Sequence, residues 1–225
     1  MTWHDLLFLH WPVPVERLRP LVPAPLEVQE RDGSGWLAVT PFWMSDVAPR
    51  GFPAIPGLSV FPELNVRTYV SFDGRPGVWF LSLDAANIVA VQAARWLYHL
   101  PYVQARMSVG RSNGHIEYRS VRDSGAGFEG SYAPSGPEFR SQPGSPENWL
   151  TERYCLYAVS ESGDLFRTEI HHVPWPLQPA TAEIHRNDMP AVHGLEVAGP
   201  PALAHYARRL DVIVWLPEHA GRTAG

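Results

Sequence analysis

Residues 61–74, FPELNVRTYVSFDG, alternate between apolar and polar side chains with the period of a β-strand. The apolar face carries Leu64, Val66, Val70 and Phe72, and the polar face carries Glu63, Asn65, Arg67, Tyr69 and Ser71. Such alternation is typical of a strand with one face in solvent, and equally of a strand that lines a cavity. The turn residues Asp73-Gly74 predict a hairpin, so this strand is expected to pair with GVWFLSLDA at 77–85.

Strand patterns dominate the rest of the chain. Runs bounded by turn residues predict strands at 35–44, 154–160, 165–173 and 210–217, and two or three antiparallel strands within 102–136. Helices are predicted at 14–22, at 85–100 and from Pro146, which follows the N-cap residue Ser145. The segment 85–100 is apolar nearly all round, so we expect a buried helix with Asp84 as its N-cap.

The chain has little sign of internal division. A proline- and glycine-rich segment at 45–59 predicts a long loop, of the kind often used as a lid or a binding loop. Neither an internal repeat nor a linker separates the 225 residues into parts. We therefore expect a single domain over residues 1–225, of the α+β class and mostly antiparallel β.

Composition argues against several partners. The net charge of −5 gives no electrostatic support for nucleic-acid binding. No apolar run approaches the roughly 18 residues of a membrane-spanning helix, and the first residues lack the pattern of a signal peptide. Cys155 is the single cysteine, so no internal disulfide forms and a cytoplasmic location is expected.

The basic residues have an unusual distribution: all 18 are arginine, and the chain contains no lysine. Without a side-chain amine, the protein has no lysine for a Schiff base, for a pyridoxal phosphate linkage or for a phosphate-binding loop. This excludes lysine-dependent imine chemistry whatever the fold.

Several strings resemble a known family. They are VPVERLRPLVPAPLEV at 13–28, VFPELNVRTYVSFDG at 60–74, LTERYCLYA at 150–158 and IHHVPWPLQPA at 170–180. Their order, with the apolar segment 85–100, resembles the acetoacetate decarboxylase-like superfamily and within it the YqjF-like family of uncharacterised proteins. The resemblance covers about residues 10 to 215. It implies a partly open antiparallel β-barrel with a few packed helices, a small-molecule pocket inside it, and assembly into homo-oligomers.

The resemblance does not extend to the decarboxylase mechanism. The decarboxylases use two adjacent lysines near the helix end, where this chain has Tyr98-His99-Leu100-Pro101. Glu63 falls where the family places one pocket glutamate. The family's other pocket glutamate would fall near Ala38, so this chain has no acidic residue there. The resemblance thus implies the fold and a pocket role for Glu63, but not the imine-forming mechanism of the decarboxylases.

The polar face of strand 61–72 is the first candidate site. Arg67 would hold a carboxylate by a two-pronged hydrogen bond. Glu63 would act as a general acid or base if burial raises its pKa, and Tyr69 would orient a carbonyl oxygen beside Asn65. The competing interpretation is a solvent-exposed face with a Glu–Arg pair. The family resemblance favours the pocket.

A second candidate lies in LFRTEIHHVPW at 165–175. Arg167, Glu169 and His171 share one face of the predicted strand, and His172 falls on the other. Either histidine would serve as a general acid or base at neutral pH if it faces the interior. The alternative has one histidine exposed and the other bonded to a backbone carbonyl. Two further residues, Arg106 and Trp175, complete the predicted substrate-binding set.

Metal and thiol chemistry have weaker support. His171, His172, Glu183 and His185 offer metal-ligand types, but their spacing matches no zinc signature and neighbouring residues of a strand point to opposite faces. We therefore predict no metal and no cofactor. Cys155 lies in an apolar strand, where a free cysteine usually acts as a small hydrophobe. Arg95, in the apolar helix, would need Asp84 or Glu63 as a partner.

Together these features predict a protein that binds a small organic acid or carbonyl compound. If it is an enzyme, it is an acid/base lyase, isomerase or hydrolase whose imine-free chemistry is enolisation, dehydration, cyclisation or hydrolysis. Glu63 would then be the acid/base and Arg67 the carboxylate anchor. The alternatives left open are a non-catalytic binding protein and a metal-dependent enzyme that uses His171 or His172.

Overall fold

The computed structural model describes residues 1–48, 59–87, 92 and 96–223. Most of the predicted loop at 45–59 and part of the predicted helix at 85–100 therefore lie outside the described residues. Within the described part, no helix is long and apolar enough to cross a membrane.

Strands make up most of the described secondary structure. They are β1 Thr2–Val13, β2 Glu27–Val28, β3 Gly35–Ser45, β4 Phe61–Phe72, β5 Arg75–Ala85, β6 Tyr102–Ser112, β7 His115–Arg122, β8 Gly127–Pro134, β9 Cys155–Val159, β10 Asp164–His171, β11 Leu177–Asn187, β12 Leu203–Asp211, β13 Ile213–Val214 and β14 Glu218–Arg222. The helices are α1 Val15–Leu18 and α2 Pro146–Thr151, with short 3₁₀ turns at Arg19–Leu21 and Ala191–His193.

The strands form one continuous sheet that closes on itself. In order, β5, β6, β7, β8, β11, β12, β1, β3 and β4 are hydrogen-bonded neighbours, and a β4–β5 pairing completes the ring. Strand β9 extends the sheet from β5, and β10 follows with β13 and β14 on its far side. Only the β5–β6 and β5–β9 pairings are parallel among those described. The predicted mostly antiparallel fold with few helices is confirmed.

The predicted hairpin at Asp73-Gly74 joins β4 to β5, and both turn residues have positive φ, 50° and 71°. Unlike a strand on a solvated sheet, β4 is buried on both faces. Leu64 and Val66 pack in one apolar cluster with residues of β1, β3, β7 and β8, while the opposite face turns toward a cavity that residues of β9, β10 and β13 also line. The register with β5 shifts between Val66 and Arg67, a bulge that adjusts where the polar face points.

The helix predicted at 85–100 differs from the structure at its start. Asp84 and Ala85 belong to strand β5, and the Asp84 carboxylate accepts hydrogen bonds from Ser120 Oγ and Arg122 Nε, both at 2.8 Å. Asp84 is therefore a buried ion-pair partner of Arg122 instead of an N-cap. The predicted burial is wrong for the described helical residue Trp96, whose exposure is 81%. Arg95 lies outside the described residues.

Strands β1, β2, β11, β14 and most of β12 were not predicted. β1 is buried along nearly its whole length, so it shows no polar alternation, and its LLFLHWPV run is equally compatible with a helix or a loop. The other predicted elements are present: α1 with its 3₁₀ turn, the three strands β6 to β8, and α2. Ser145 caps α2 as expected, because its Oγ accepts a hydrogen bond from the Asn148 amide at 3.2 Å.

Candidate functional site

A cavity of about 180 Å³ is lined by residues from β1, β3, β4, β5, β6, β9, β10 and β13. Most of its wall is apolar or aromatic, including Trp3, Leu6, Phe42, Phe61, Phe80, Leu156, Ile170 and Trp175. The polar and charged lining residues are Thr40, Glu63, Asn65, Arg67, Tyr98, Tyr102, Thr151, Arg153 and His172. An apolar cavity of roughly 150 Å³ holds benzene, so this one accommodates a small organic molecule.

Strand β4 supplies the polar side of this wall. Glu63, Asn65 and Arg67 all line the cavity, as the period-two alternation requires of alternate residues on one face. Tyr69, next on that face, is fully buried behind the wall, and its hydroxyl is 2.8 Å from His10 Nε2. Tyr69 therefore packs beneath the site instead of facing a ligand.

Glu63 has the environment of a proton-transfer group. Its side chain is buried, its Oε2 accepts a hydrogen bond from Tyr102 Oη at 2.8 Å, and Asn65 also bonds to it. Burial raises the pKa of Glu63 to about 7, because desolvation disfavours the carboxylate more than the Tyr102 and Asn65 hydrogen bonds favour it. At neutral pH the carboxyl group thus populates both protonation states, which suits a general acid or base.

Arg67 is buried in the cavity wall without a carboxylate partner. Its guanidinium carbon lies 5.4 Å from the Phe8 ring centroid and 6.0 Å from that of Tyr69. Neither Nε nor Nη2 has a hydrogen-bond partner among the described residues. These two nitrogens form the edge of the guanidinium that binds a carboxylate in a two-pronged manner.

A second buried arginine, Arg153, was missed by the sequence prediction. It lies two residues after the end of helix α2 and lines the same cavity. Its Nε donates to the Trp149 carbonyl at 2.7 Å and its Nη1 to Gln29 Oε1 at 2.6 Å, whereas Nη2 has no partner among the described residues. Burial, with a contribution from Arg67, lowers the pKa of Arg153 to about 10, so the side chain stays charged at neutral pH. The feature of the sequence that could have identified Arg153 is its position as a charged residue immediately before a predicted apolar strand.

Further unpartnered polar atoms belong to cavity-lining residues. Among the described residues they are Trp3 Nε1, Thr40 Oγ1, Asn65 Oδ1 and Trp175 Nε1. Trp175, a predicted site residue, is 2% exposed, and its indole stacks on that of Trp3 at a centroid distance of 5.8 Å. With the arginine nitrogens, the unpartnered atoms are mostly donors, so an acceptor-rich ligand would complement this wall.

The second predicted constellation is divided between two surfaces. Arg167 and His171 line an outer cleft with Glu169, where Arg167 Nε lies 3.1 Å from Glu169 Oε1 and Arg75 Nη2 lies 2.5 Å from Glu169 Oε2. The expectation that Arg167 and His171 face the interior is wrong, because this face of β10 points outward and its charges pair with one another. His171 is exposed and lies apart from Glu63.

The other face of β10 leads to the cavity. His172 is 6% exposed, lines the cavity, and has its Nδ1 2.7 Å from the Val173 carbonyl oxygen. Burial lowers the pKa of His172, so its ring is favoured in the neutral form. The sequence alternative in which one histidine is exposed and the other is bonded to a backbone carbonyl matches this arrangement.

Arg106, Cys155 and the proposed metal ligands do not join the site. Arg106 is exposed and pairs with Asp123 at 3.2 Å, so its expected contact with the interior is wrong. Cys155 is buried, and desolvation raises the pKa of its thiol to about 11, which favours the unreactive thiol. Among the described residues, no three His, Cys, Asp or Glu side chains are grouped as metal ligands; His185 instead pairs with Glu183 at 3.8 Å.

Comparison with known sequences identifies close relatives. The profile of the DUF2071 family, described as an uncharacterized conserved protein, matches residues 1–211. Uncharacterized protein YqjF of Bacillus subtilis strain 168 is 44% identical over 216 residues, which cover 95% of this chain and 89% of YqjF.

Solved structures share the fold at low identity. The enduracididine biosynthesis enzyme MppR, complexed with the condensation product of pyruvate and imidazole 4-carboxaldehyde, superposes with a TM-score of 0.71 at 12% identity, covering 97% of this chain and 87% of MppR. Acetoacetate decarboxylase from Legionella pneumophila gives a TM-score of 0.63 at 12% identity, covering 100% and 88% of the two chains. The chain therefore belongs to the DUF2071 family, has YqjF as a relative, and adopts an acetoacetate decarboxylase-like fold.

Proposed function

We propose that this protein binds a small organic acid in the cavity and exchanges a proton with it through Glu63. The observation that carries the proposal is a buried carboxyl group whose pKa is about 7, in a cavity that also contains two guanidinium groups without a carboxylate partner. Arg67 anchors the ligand's carboxylate through Nε and Nη2. The fold shared with MppR, which was solved with pyruvate and with a condensation product of pyruvate, supports a carbonyl-bearing acid as ligand.

Enolisation is an acid/base reaction that needs no lysine. The Glu63 carboxylate removes a proton from the carbon beside the ligand's carbonyl, and the electron pair of that C–H bond moves toward the carbonyl oxygen. The protonated Glu63 then returns the proton to carbon or to oxygen. A pKa of about 7 supplies both forms of Glu63 at neutral pH. Tyr102 and Asn65 hold the carboxyl group in place by hydrogen bonds.

Hydrogen–deuterium exchange at carbon tests this proposal. Pyruvate and 2-oxobutyrate are incubated with the protein in D₂O, and loss of the C3 proton signal is followed by NMR. We expect the wild-type protein to accelerate exchange, and Glu63→Gln to slow it by about a hundredfold or more. Glu161→Gln, which changes an exposed glutamate, is the matched control and should behave as wild type. Equal exchange rates with wild type and Glu63→Gln would contradict the role of Glu63.

A second candidate is a binding protein without catalysis, favoured by the mainly aromatic and aliphatic wall around Trp3 and Trp175. Native mass spectrometry of the purified protein would reveal a co-purifying organic acid. Bound acid together with no exchange above background would favour this candidate over the enzyme.

The prediction of a homo-oligomer stays a proposal, as do a cytoplasmic location and the absence of a nucleic-acid partner. The net charge of −5 supports the last of these. Light scattering coupled to size exclusion measures the oligomeric state directly.

A further inference from the structure

We propose that the cavity selects a dianionic ligand, a dicarboxylate or a phosphate monoester, whose two negative charges are matched by Arg67 and Arg153. This inference rests on the proposed function, since it concerns the same cavity, and it narrows the substrate class from organic acids in general to doubly charged ones.

The charge inventory of the site is the first argument. Arg67 and Arg153 are each 8% exposed, and neither has a carboxylate within salt-bridge distance among the described residues. The segments outside the described residues, 49–58, 88–91, 93–95 and 224–225, contain no aspartate or glutamate. The buried Arg122, by contrast, pairs with Asp84 at 2.7 Å. Two buried positive charges are therefore left without a salt-bridge partner, and Glu63, which lines the same cavity, carries only part of a negative charge at neutral pH because its pKa is about 7.

The neutral groups around Arg153 fix its position without cancelling its charge. The guanidinium carbon lies 4.5 Å from the Trp149 ring centroid and 5.2 Å from that of Tyr69. The Trp149 carbonyl and the Gln29 side-chain oxygen accept its Nε and Nη1 hydrogen bonds. A guanidinium group held by these contacts with one unpartnered nitrogen is suited to a charged ligand, because little further ordering of the Arg153 side chain is needed on binding.

The two guanidinium groups line the same cavity and influence one another, since Arg67 contributes to the lowered pKa of Arg153. Both lie near the Tyr69 ring, with the Arg67 carbon at 6.0 Å and the Arg153 carbon at 5.2 Å from its centroid. Arg67 presents a two-nitrogen edge and Arg153 a single nitrogen, and both residues line the cavity of about 180 Å³. A monocarboxylate would neutralise one of these charges, whereas a dianion neutralises both.

Calorimetry at pH 7, where Glu63 is partly protonated, tests the inference with three probes: succinate, butyrate and inorganic phosphate. Succinate and butyrate share a carbon skeleton length and differ by one carboxylate. We expect succinate to bind the wild-type protein about tenfold more tightly than butyrate. Arg153→Gln should remove this preference and leave butyrate binding within about threefold of wild type. Arg119→Gln, which changes an exposed arginine, is the matched control and should bind as wild type.

Arg67→Met keeps the inference testable if Arg153→Gln folds poorly. This variant replaces an unpaired buried charge by an apolar side chain of similar length, so the ligand-free protein should unfold at a higher temperature than wild type while binding neither carboxylate. A lower unfolding temperature would contradict the view that the charge is held for a ligand.

The remaining outcomes separate the two proposals. Phosphate binding that is tighter than succinate binding and is lost in Arg153→Gln supports a phosphate monoester as the source of the dianion. Equal affinities for succinate and butyrate, both lost in Arg67→Met, overturn the dianion inference and leave the proposed function standing. Failure of all three probes to bind overturns the dianion inference, and the deuterium exchange of pyruvate decides separately whether the proposed function stands.

Discussion

Burial acts on the charged side chains of this cavity in two different ways. It raises the pKa of Glu63 to about 7, so the carboxyl group escapes part of the desolvation cost by taking up a proton. Arg67 and Arg153 cannot reduce their desolvation cost in this way at neutral pH, since guanidinium groups stay protonated. The cation–π contacts of Arg67 with Phe8 and of both arginines with Tyr69 each offset up to about 2 kcal/mol of the desolvation cost. Burying one charge costs roughly several kcal/mol, so these contacts do not offset the whole cost. The protein therefore holds an unbalanced positive charge that a ligand would relieve.

The pKa of Glu63 makes stability depend on pH. Its folded pKa of about 7 exceeds the ordinary 4.5, so the folded protein binds more protons than the unfolded chain between these values. The stabilisation from neutral Glu63 is complete below pH 4.5 and is lost as the pH rises to about 7. Relative to Glu63→Gln, the wild-type free energy of unfolding should fall by about 3 kcal/mol over this range. Urea denaturation of both proteins at pH 5 and 8 measures the difference; a constant difference would contradict the assigned pKa.

At the scale of elements, the site depends on a short parallel contact that attaches strand β9 to the ring. Val78 and Trp79 of β5 pair with Leu156 and Tyr157 of β9, and Val78 and Leu156 both line the cavity. The approach is close because the neighbouring β5 residue is Gly77. A Cβ atom there would lie 2.8 Å from Tyr157 Cε2 and 2.9 Å from the Cys155 carbonyl oxygen.

Gly77→Ala should therefore push β9 away from β5. Because one contact is to backbone, which cannot rotate aside, we expect the free energy of unfolding to fall by about 2 kcal/mol. Gly110→Ala, in strand β6, is the matched control, since a Cβ there meets nothing within 4 Å. Its free energy of unfolding should stay within about 0.5 kcal/mol of wild type. Denaturant unfolding of both variants provides the measurement, and equal losses would show that the contact is unimportant.

At the scale of the whole molecule, the continuous sheet joins residues that are distant in sequence. Strand β1 pairs with β12 from Thr2↔Asp211 to His10↔Leu203, and β4 closes the ring against β5. The arginine pair also draws on both halves of the chain, with Arg67 on β4 and Arg153 after α2.

Such connectivity predicts one cooperative unfolding transition. Tryptophan fluorescence and far-ultraviolet circular dichroism should give coincident curves in urea, because the aromatic wall of the cavity and the sheet are lost at once. Two separated transitions would contradict the single domain predicted for residues 1–225. Arg119→Gln, changed only at the surface, should show the same coincidence.

Several features followed from local sequence alone. The alternation of β4 identified Glu63, Asn65 and Arg67 as one face, because side-chain direction in a strand is set by covalent geometry. Ser145 marked the start of α2, and Asp73-Gly74 marked the hairpin, because their backbone preferences are intrinsic. The absence of lysine excludes lysine imines independently of any structure.

Tertiary structure decided the rest. The alternation in β10 correctly separated His171 from His172, but only the packing of the sheet made the His172 face the interior and the His171 face the outside. Asp84 became a partner of Arg122 because strands β5 and β7 bring them together, which no local pattern encodes. Arg153 lies in the cavity wall because it contacts Gln29 and Tyr69, which are distant from it in sequence. Side-chain direction is a local property, whereas burial and charge balance depend on which distant strands close around the cavity.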